Sequence, residues 1–389
     1  MEDSRMTSRF LIAGAAAAAL FLVPAGGIAR DAPAKAPAGS AAKAAPADDS
    51  YLFSDSHFHL TNYVQQGTDI RTYLEIMGDK IGRSTLFGIP LQQTWSHENS
   101  GDYAPTYYLQ TDAPLYYYSF TDAFIAMTYL SLPKAQQARL DPMITGFNPA
   151  DMYAVEHIRR VLTLFPGVFT GIGEFSIHKE FVSSKVAGET ASLTNPALDR
   201  ILDFAGEVGL VVILHNDIDM PFAKADAEPI YLRQMKDLLR RHPKTSIIWA
   251  HTGLGRVVHP ALQSSDGSSA ERSPRHLEIL AAMMEDPTLR HVAFDISWDE
   301  VAKYAVSSPE TIRAVATLLN RYPDRFLFGT DNVAPPDQAA QLRVFHLWDP
   351  VFAQLTPAAS VAIRKGNYDR LFDAARVRVR AWEAANVRR

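Results

Sequence analysis

Leu52-Phe53-Ser54-Asp55-Ser56-His57-Phe58-His59 is a short run of strand-forming residues that ends in a histidine pair, and its reading decides the fold. Histidines two apart on a strand project to the same side, so His57 and His59 can share one metal ion. Alone the pair is weak evidence, because 12 histidines in 389 residues produce about 0.4 such pairs by chance. Its weight comes from the rest of the chain. Seven further β-branched or aromatic runs succeed it, roughly Ser84–Ile89, Met143–Phe147, Val168–Glu174, Leu210–His215, Ser246–His251, Val292–Ile296 and Phe326–Gly329. Between them lie amphipathic stretches such as Pro196–Val208, Pro229–Arg241, Arg275–Met284 and Pro309–Arg321, apolar at three- and four-residue spacing. Eight such βα units predict an α/β fold closed as a (β/α)8 TIM-like barrel.

In a barrel, the C-terminal ends of the strands converge on one mouth, where sites of chemistry are carried. Five runs here end in possible metal ligands: Asp55-Ser-His57-Phe-His59, Gly171-Ile-Gly-Glu174, Leu214-His215, Trp249-Ala-His251 and Gly329-Thr-Asp331. A buried imidazole among Val, Ile and Leu needs a hydrogen-bond partner or a metal. Four histidines and an aspartate at the same end of four strands point to the metal. Glu174 adds a carboxylate that can bridge two ions about 3.5–4 Å apart, or else orient a histidine from behind. Asp331 is suited to accept a proton from an attacking water as well as to bind metal. His251 or His215 can alternatively polarise a carbonyl without binding metal. Arg256 in His251-Thr-Gly-Leu-Gly-Arg256, Asp295 at the end of the seventh run, and Asn216 with Asp217 are candidate substrate or supporting contacts.

Composition removes several alternatives. The chain has no cysteine, which excludes disulfides, thiolate ligands and cysteine nucleophiles. Its net charge of -5 comes from 43 acidic and 38 basic residues without a basic stripe, which disfavours nucleic acid as a partner. Neither a phosphate loop nor a Gly-x-Ser-x-Gly elbow occurs. From Leu91 to about Lys134 the chain exceeds an ordinary connection and reads as a long aromatic-rich insertion after strand 2, with Trp95, Tyr103, Tyr107, Tyr108, Tyr116, Tyr117, Tyr118 and Phe120. A lid and simple packing onto the barrel both account for it. At the N-terminus, Arg5 and Arg9 precede an apolar run from Phe10 to Ala25 and then Gly-Gly-Ile-Ala, so residues 1–29 read as a secretory signal peptide. Glu2 and Asp3 offset those arginines unless translation begins at Met6, and an uncleaved membrane anchor is the alternative. Residues 30–50, rich in Ala and Pro, read as a disordered linker, leaving 51–389 as the barrel.

With these motifs, and with Pro323-Asp-Arg-Phe-Leu-Phe-Gly-Thr-Asp331 and Ile363-Arg-Lys-Gly-Asn367-Tyr-Asp-Arg-Leu371-Phe372 near the end, the chain resembles the amidohydrolase superfamily, and within it the amidohydrolase-2 branch. The resemblance runs from about Tyr51 to Phe372. It implies a distorted barrel holding one or two divalent ions, usually zinc, by His57, His59, Glu174, His215, His251 and Asp331, with Asp331 as proton acceptor. Decarboxylase-like members generally use one ion and leave the strand-six histidine, here His251, for catalysis. The expectation is therefore an exported, metal-dependent hydrolase, periplasmic or secreted, acting on an amide, ester or lactone of a small molecule. The alternatives are a mononuclear decarboxylase or carbon–carbon hydrolase, and a non-catalytic metal-binding barrel. A homo-oligomer is compatible with the sequence.

Overall fold

The computed structural model describes residues 50–61, 67–89, 120–179, 182–183, 185–186, 189–190, 192–219, 229–255 and 275–388. All lie in the larger of two compact units, Pro46–Arg389. The aromatic residues from Trp95 to Tyr118, Arg256, and the signal and linker segments 1–49 fall outside the described residues. Among the described residues, no helix is long and apolar enough to cross a membrane.

Eight parallel strands form one sheet in sequential order: β1 (Phe53–Asp55), β2 (Ile81–Leu86), β3 (Leu140–Ile144), β4 (Gly171–Ser176), β5 (Val211–His215), β6 (Ser246–Trp249), β7 (Val292–Asp295) and β8 (Phe326–Leu327). The first and last strands meet at their C-terminal ends. The Ser56 amide donates to the Phe328 carbonyl at 3.2 Å and the Asp331 amide to the His57 carbonyl at 2.8 Å. Just beyond, Phe58–His59 pairs in parallel with Asn332–Val333. The eight-stranded barrel read from the sequence is the observed fold.

Helices occupy the connections, and local chemistry sets their ends. α1 (Ile70–Met77) follows β1, and its first turn is capped by Asp69, which accepts from the amides of Arg71 and Thr72. α2 (Phe120–Leu130) and α3 (Ala154–Leu164) precede β3 and β4. Thus the later part of the expected insertion is the barrel's own helix between β2 and β3. α4 (Pro196–Val208) begins with Asn195 accepting from the Ala197 amide and proline in its first turn. α5 (Leu232–Arg241), α6 (Arg275–Glu285), α7 (Asp299–Ala305) and α8 (Pro309–Arg321) continue the alternation, and α9 (Gln338–Leu347) and α10 (Asn367–Asn386) complete it.

Two apolar layers result. Met143, Val211, Ile213, Ile248, Ala250, Ala293 and Leu327 form one buried cluster with Tyr368, Phe372 and Ala375 of α10. Their strand neighbours Ile144, Val212, Leu214, Ile247, Trp249, Phe294 and Phe326 belong to the larger cluster that includes the helices. This period-two division marks the first set as barrel interior, with α10 across its N-terminal end. Asn367 fixes that helix by donating from Nδ2 to the carbonyls of Pro323 and Phe326, both at 2.7 Å. Asp141 ties it further, accepting from Tyr368, Arg83 and Arg376 at 2.7–2.9 Å.

Candidate metal centre

The side chains at the barrel mouth reach it in three ways. Simple alternation suffices for His215, in step with Val211 and Ile213, and for Asp295, in step with Ala293. Glu174 needs an irregularity. In step with Gly171 it would face outward, but the β4–β5 register shifts between Val212 and Leu214, inserting one residue at Gly173–Glu174. The bulge turns Glu174 inward. Only glycine fits beside it, since a Cβ at Gly173 would stand 2.7 Å from both Phe87 and Thr145 side chains. His251 needs a stronger device. It follows Ala250, an interior residue, and alternation would send it into the outer layer. Instead His251, Thr252 and Gly253 have φ of 55°, 55° and 71°, a left-handed run costing about 1–2 kcal/mol at each non-glycine position.

The histidine pair does not share one strand: β1 ends at Asp55, and His59 lies in the short strand beyond. Both rings nevertheless enter the mouth, 5.3 Å apart, while Phe58 between them stacks on Tyr73 in the outer layer. The His57 and His215 rings stand 4.9 and 4.7 Å from that of His251.

Hydrogen bonds at the back of the site fix which ring nitrogen faces the opening. His57 Nδ1 donates to Asp295 Oδ2 at 3.0 Å, and His59 Nδ1 to the Gly88 carbonyl at 3.2 Å. His251 Nδ1 donates to Ser297 Oγ at 2.8 Å, and Ser297 Oγ in turn donates to Asp295 Oδ1. In their neutral forms all three imidazoles therefore present Nε2 lone pairs to the mouth. Facing them are carboxylates. Asp331 Oδ1 lies 3.3 Å from His57 Nε2 and 3.1 Å from His59 Nε2, and Glu174 Oε2 lies 3.3 Å from His59 Nε2. Glu174 Oε1 lies 3.4 Å from His251 Nε2 and contacts His215 Nδ1. Carboxylates crowded against imidazole nitrogens in a dry pocket demand positive charge between them, which a proton on a ring or a bound cation supplies. In agreement, Nε2 of His57 and of His251 is buried without a hydrogen-bond partner among the described residues.

The titration behaviour shows the same demand for positive charge. Burial opposes charge on His57, but Asp295, then Asp331 and Glu174, hold its pKa well above the ordinary imidazole value. Burial would raise Glu174, yet Lys179, His215 and His251 hold it well below the carboxylate range. Asp331 is likewise held low against burial, chiefly by His251 and His57, and so is ionised. The donor atoms group as His57, His59, Glu174 and Asp331, as Glu174, His215 and His251, and as His57, His251 and Asp295, each set within 4.8 Å.

Asp295, a candidate for either a substrate or a supporting contact, is fully buried and bonded to His57 Nδ1, the His251 amide at 2.8 Å and Ser297. Asp217 faces His215 Nε2 at 3.1 Å, and His178 stacks on Tyr231 at 3.8 Å. Sequence reasoning missed Ser297, Lys179 and Trp298. Ser297 was findable, two residues beyond Asp295 and so on the same side. Lys179 follows β4, while Trp298 follows β7; Lys179 Nζ lies 5.6 Å from the Trp298 ring centroid, so the lysine spans the opening.

A (β/α)8 barrel with buried histidines and carboxylates gathered at its C-terminal mouth defines the class of metal-dependent hydrolases. The Amidohydrolase family model (Amidohydro_2) matches residues 55–374, and the chain belongs to that family. No curated protein matches it. Among solved structures it is similar to 2,6-dihydroxybenzoate decarboxylase from Rhizobium, at 14% identity over 83% of this chain and 99% of that one, with a TM-score of 0.48. It is also similar to dihydroorotase from Campylobacter jejuni, at 11% identity, 82% and 83% coverage and a TM-score of 0.47. A TIM-barrel protein from Bordetella bronchiseptica gives 14%, 83%, 99% and 0.47.

Proposed function

We propose that this chain hydrolyses an amide, ester or lactone of a small molecule at a centre that would hold two divalent ions, zinc in the native protein, with Glu174 shared between them. One observation carries the reading: the two oxygens of Glu174 face different histidines, Oε2 toward His59 and Oε1 toward His215 and His251. His57, His59 and Asp331 would hold one ion with Glu174, and His215 and His251 the other. Bound there, divalent ions supply Lewis acidity that polarises a carbonyl and acidifies water. Asp331 accepts the proton released as water attacks the carbonyl carbon, then returns it to the departing oxygen or nitrogen, so water is consumed and no net proton is gained or lost. Asp295 and Ser297 keep His57 and His251 in the tautomer that offers Nε2. Lys179 and Trp298 support recognition of an anionic group on the substrate. The apolar run from Phe10 to Ala25 supports export, which N-terminal sequencing of the mature protein checks.

The test joins metal analysis to a screen of ester, lactone, amide and carboxylate substrates. Two ions per chain, one in Glu174→Gln, and product from an ester, lactone or amide support the proposal. One ion in both proteins with release of carbon dioxide replaces it by the mononuclear decarboxylase, and no bound ion sinks it.

A further inference from the structure

The left-handed run that brings His251 into the mouth is secured at both ends by ordinary hydrogen bonds. The His251 amide donates to Asp295, while the Leu254 amide donates to the His251 carbonyl and the Ile218 amide to that of Gly253, both at 2.9 Å. Its middle residue is a threonine at φ 55°, a conformation that a β-branched side chain strongly resists. Strain of this kind persists only where the surroundings over-determine it. The Thr252 side chain is gripped by a residue from a different element. Thr252 Oγ1 donates to the His251 carbonyl at 2.6 Å and therefore accepts from Nε2 of His276, at 3.0 Å, in the first turn of α6. His276 is buried, and burial pushes its pKa down to about 4, so the ring is neutral. Donation through Nε2 leaves Nδ1 without a proton, and Nδ1 has no partner among the described residues. The tautomer is thus consistent with one task, donating to Thr252.

We propose that His276 is a positioning residue for His251: by holding the Thr252 hydroxyl it keeps the His251–Gly253 turn left-handed and so keeps His251 Nε2 facing Glu174. Without that grip the turn relaxes toward extended backbone, in which alternation carries His251 out of the mouth. This role rests on the two-ion reading, and its test is a binding measurement independent of turnover. The full chain, freed of metal, is titrated with cobalt(II) and followed by its visible absorption. His276→Leu is expected to weaken the second equivalent tenfold or more, and His276→Gln, whose amide can donate in place of Nε2, to recover most of the loss. Thr252→Val, which keeps the branched side chain and removes the hydroxyl, should reproduce the loss if His276→Leu does not fold. The decisive comparison is in a Thr252→Gly background. Glycine takes φ 55° without strain and offers no hydroxyl, so adding His276→Leu should change cobalt affinity less than twofold. Equal losses in both backgrounds would assign His276 a packing role against Tyr304, whose ring centroid stands 6.1 Å from that of His276, and overturn the proposal, as would unchanged affinity in both His276→Leu and Thr252→Val. If the wild-type chain binds one equivalent, the two-ion reading fails, and the same comparison on that ion decides the positioning role separately.

Discussion

Asp331 sits where a single oxygen changes the chemistry. Replacing it by Asn keeps the side-chain shape and one acceptor but removes the base, so Asp331→Asn should lower kcat by about 10²–10⁴ while the protein still binds metal. Retained turnover would assign proton transfer elsewhere. His276 carries a second prediction at this scale. Its folded pKa, about 4, lies below the ordinary 6.5, so between those values the unfolded chain takes up a proton that the folded chain refuses. Stability from this residue is full above pH 6.5, falls as pH drops through the window, and is exhausted below about 4; the difference approaches about 3 kcal/mol. Urea unfolding at pH 7 and pH 5 should show a smaller acid loss in His276→Gln than in the wild type. Equal losses would show that the buried ring does not set the acid sensitivity.

Among the elements, α10 and the hairpin after β4 do different work. Asn367 supplies two hydrogen bonds from α10 to the chain around β8. Asn367→Ala strands both carbonyls and should destabilise by about 2–4 kcal/mol, seen as a lower urea midpoint at unchanged m-value, with metal content intact. The hairpin is built from His178–Lys179 paired with Val182–Ser183, and its root is tied by the Asp217 amide donating to the His178 carbonyl at 2.8 Å. It holds Lys179 over the mouth. On the proposed function, Lys179→Met should raise KM for a substrate bearing an anionic group about tenfold, the worth of one charge-assisted hydrogen bond, with a smaller effect on kcat. A drop in kcat alone would place Lys179 on the reacting atoms instead.

For the molecule as a whole, the proposed centre lies across the seam where the barrel closes. His57 and His59 follow β1 and Asp331 follows β8, and few backbone bonds otherwise join those strands among the described residues. Metal bound there cross-links the first and last strands. Chelation should therefore lower the melting temperature, and zinc should restore it, a stabilisation of up to about 4 kcal/mol at a thousandfold excess over Kd. A melting temperature indifferent to chelation would show that the seam closes without the ion.

The order of the eight strands, the bounds of α4 and α8, and the placement of His215 and Asp295 were legible in the chain. They depend on period-two alternation and on capping residues such as Asn195 and Ser308, which act between near neighbours. Glu174 and His251 were found by their position at run ends, but for the wrong geometric reason: strict alternation turns both away from the mouth. Only the tertiary structure decided their direction. A bulge turns Glu174 inward, and Phe87 and Thr145 leave room only for glycine beside it. The left-handed turn at His251 persists because Asp295, Ile218 and His276, distant in sequence, converge to hold it. Local patterning names a residue and its strand, whereas the side a strained residue faces is set by contacts that exist only after the barrel has closed.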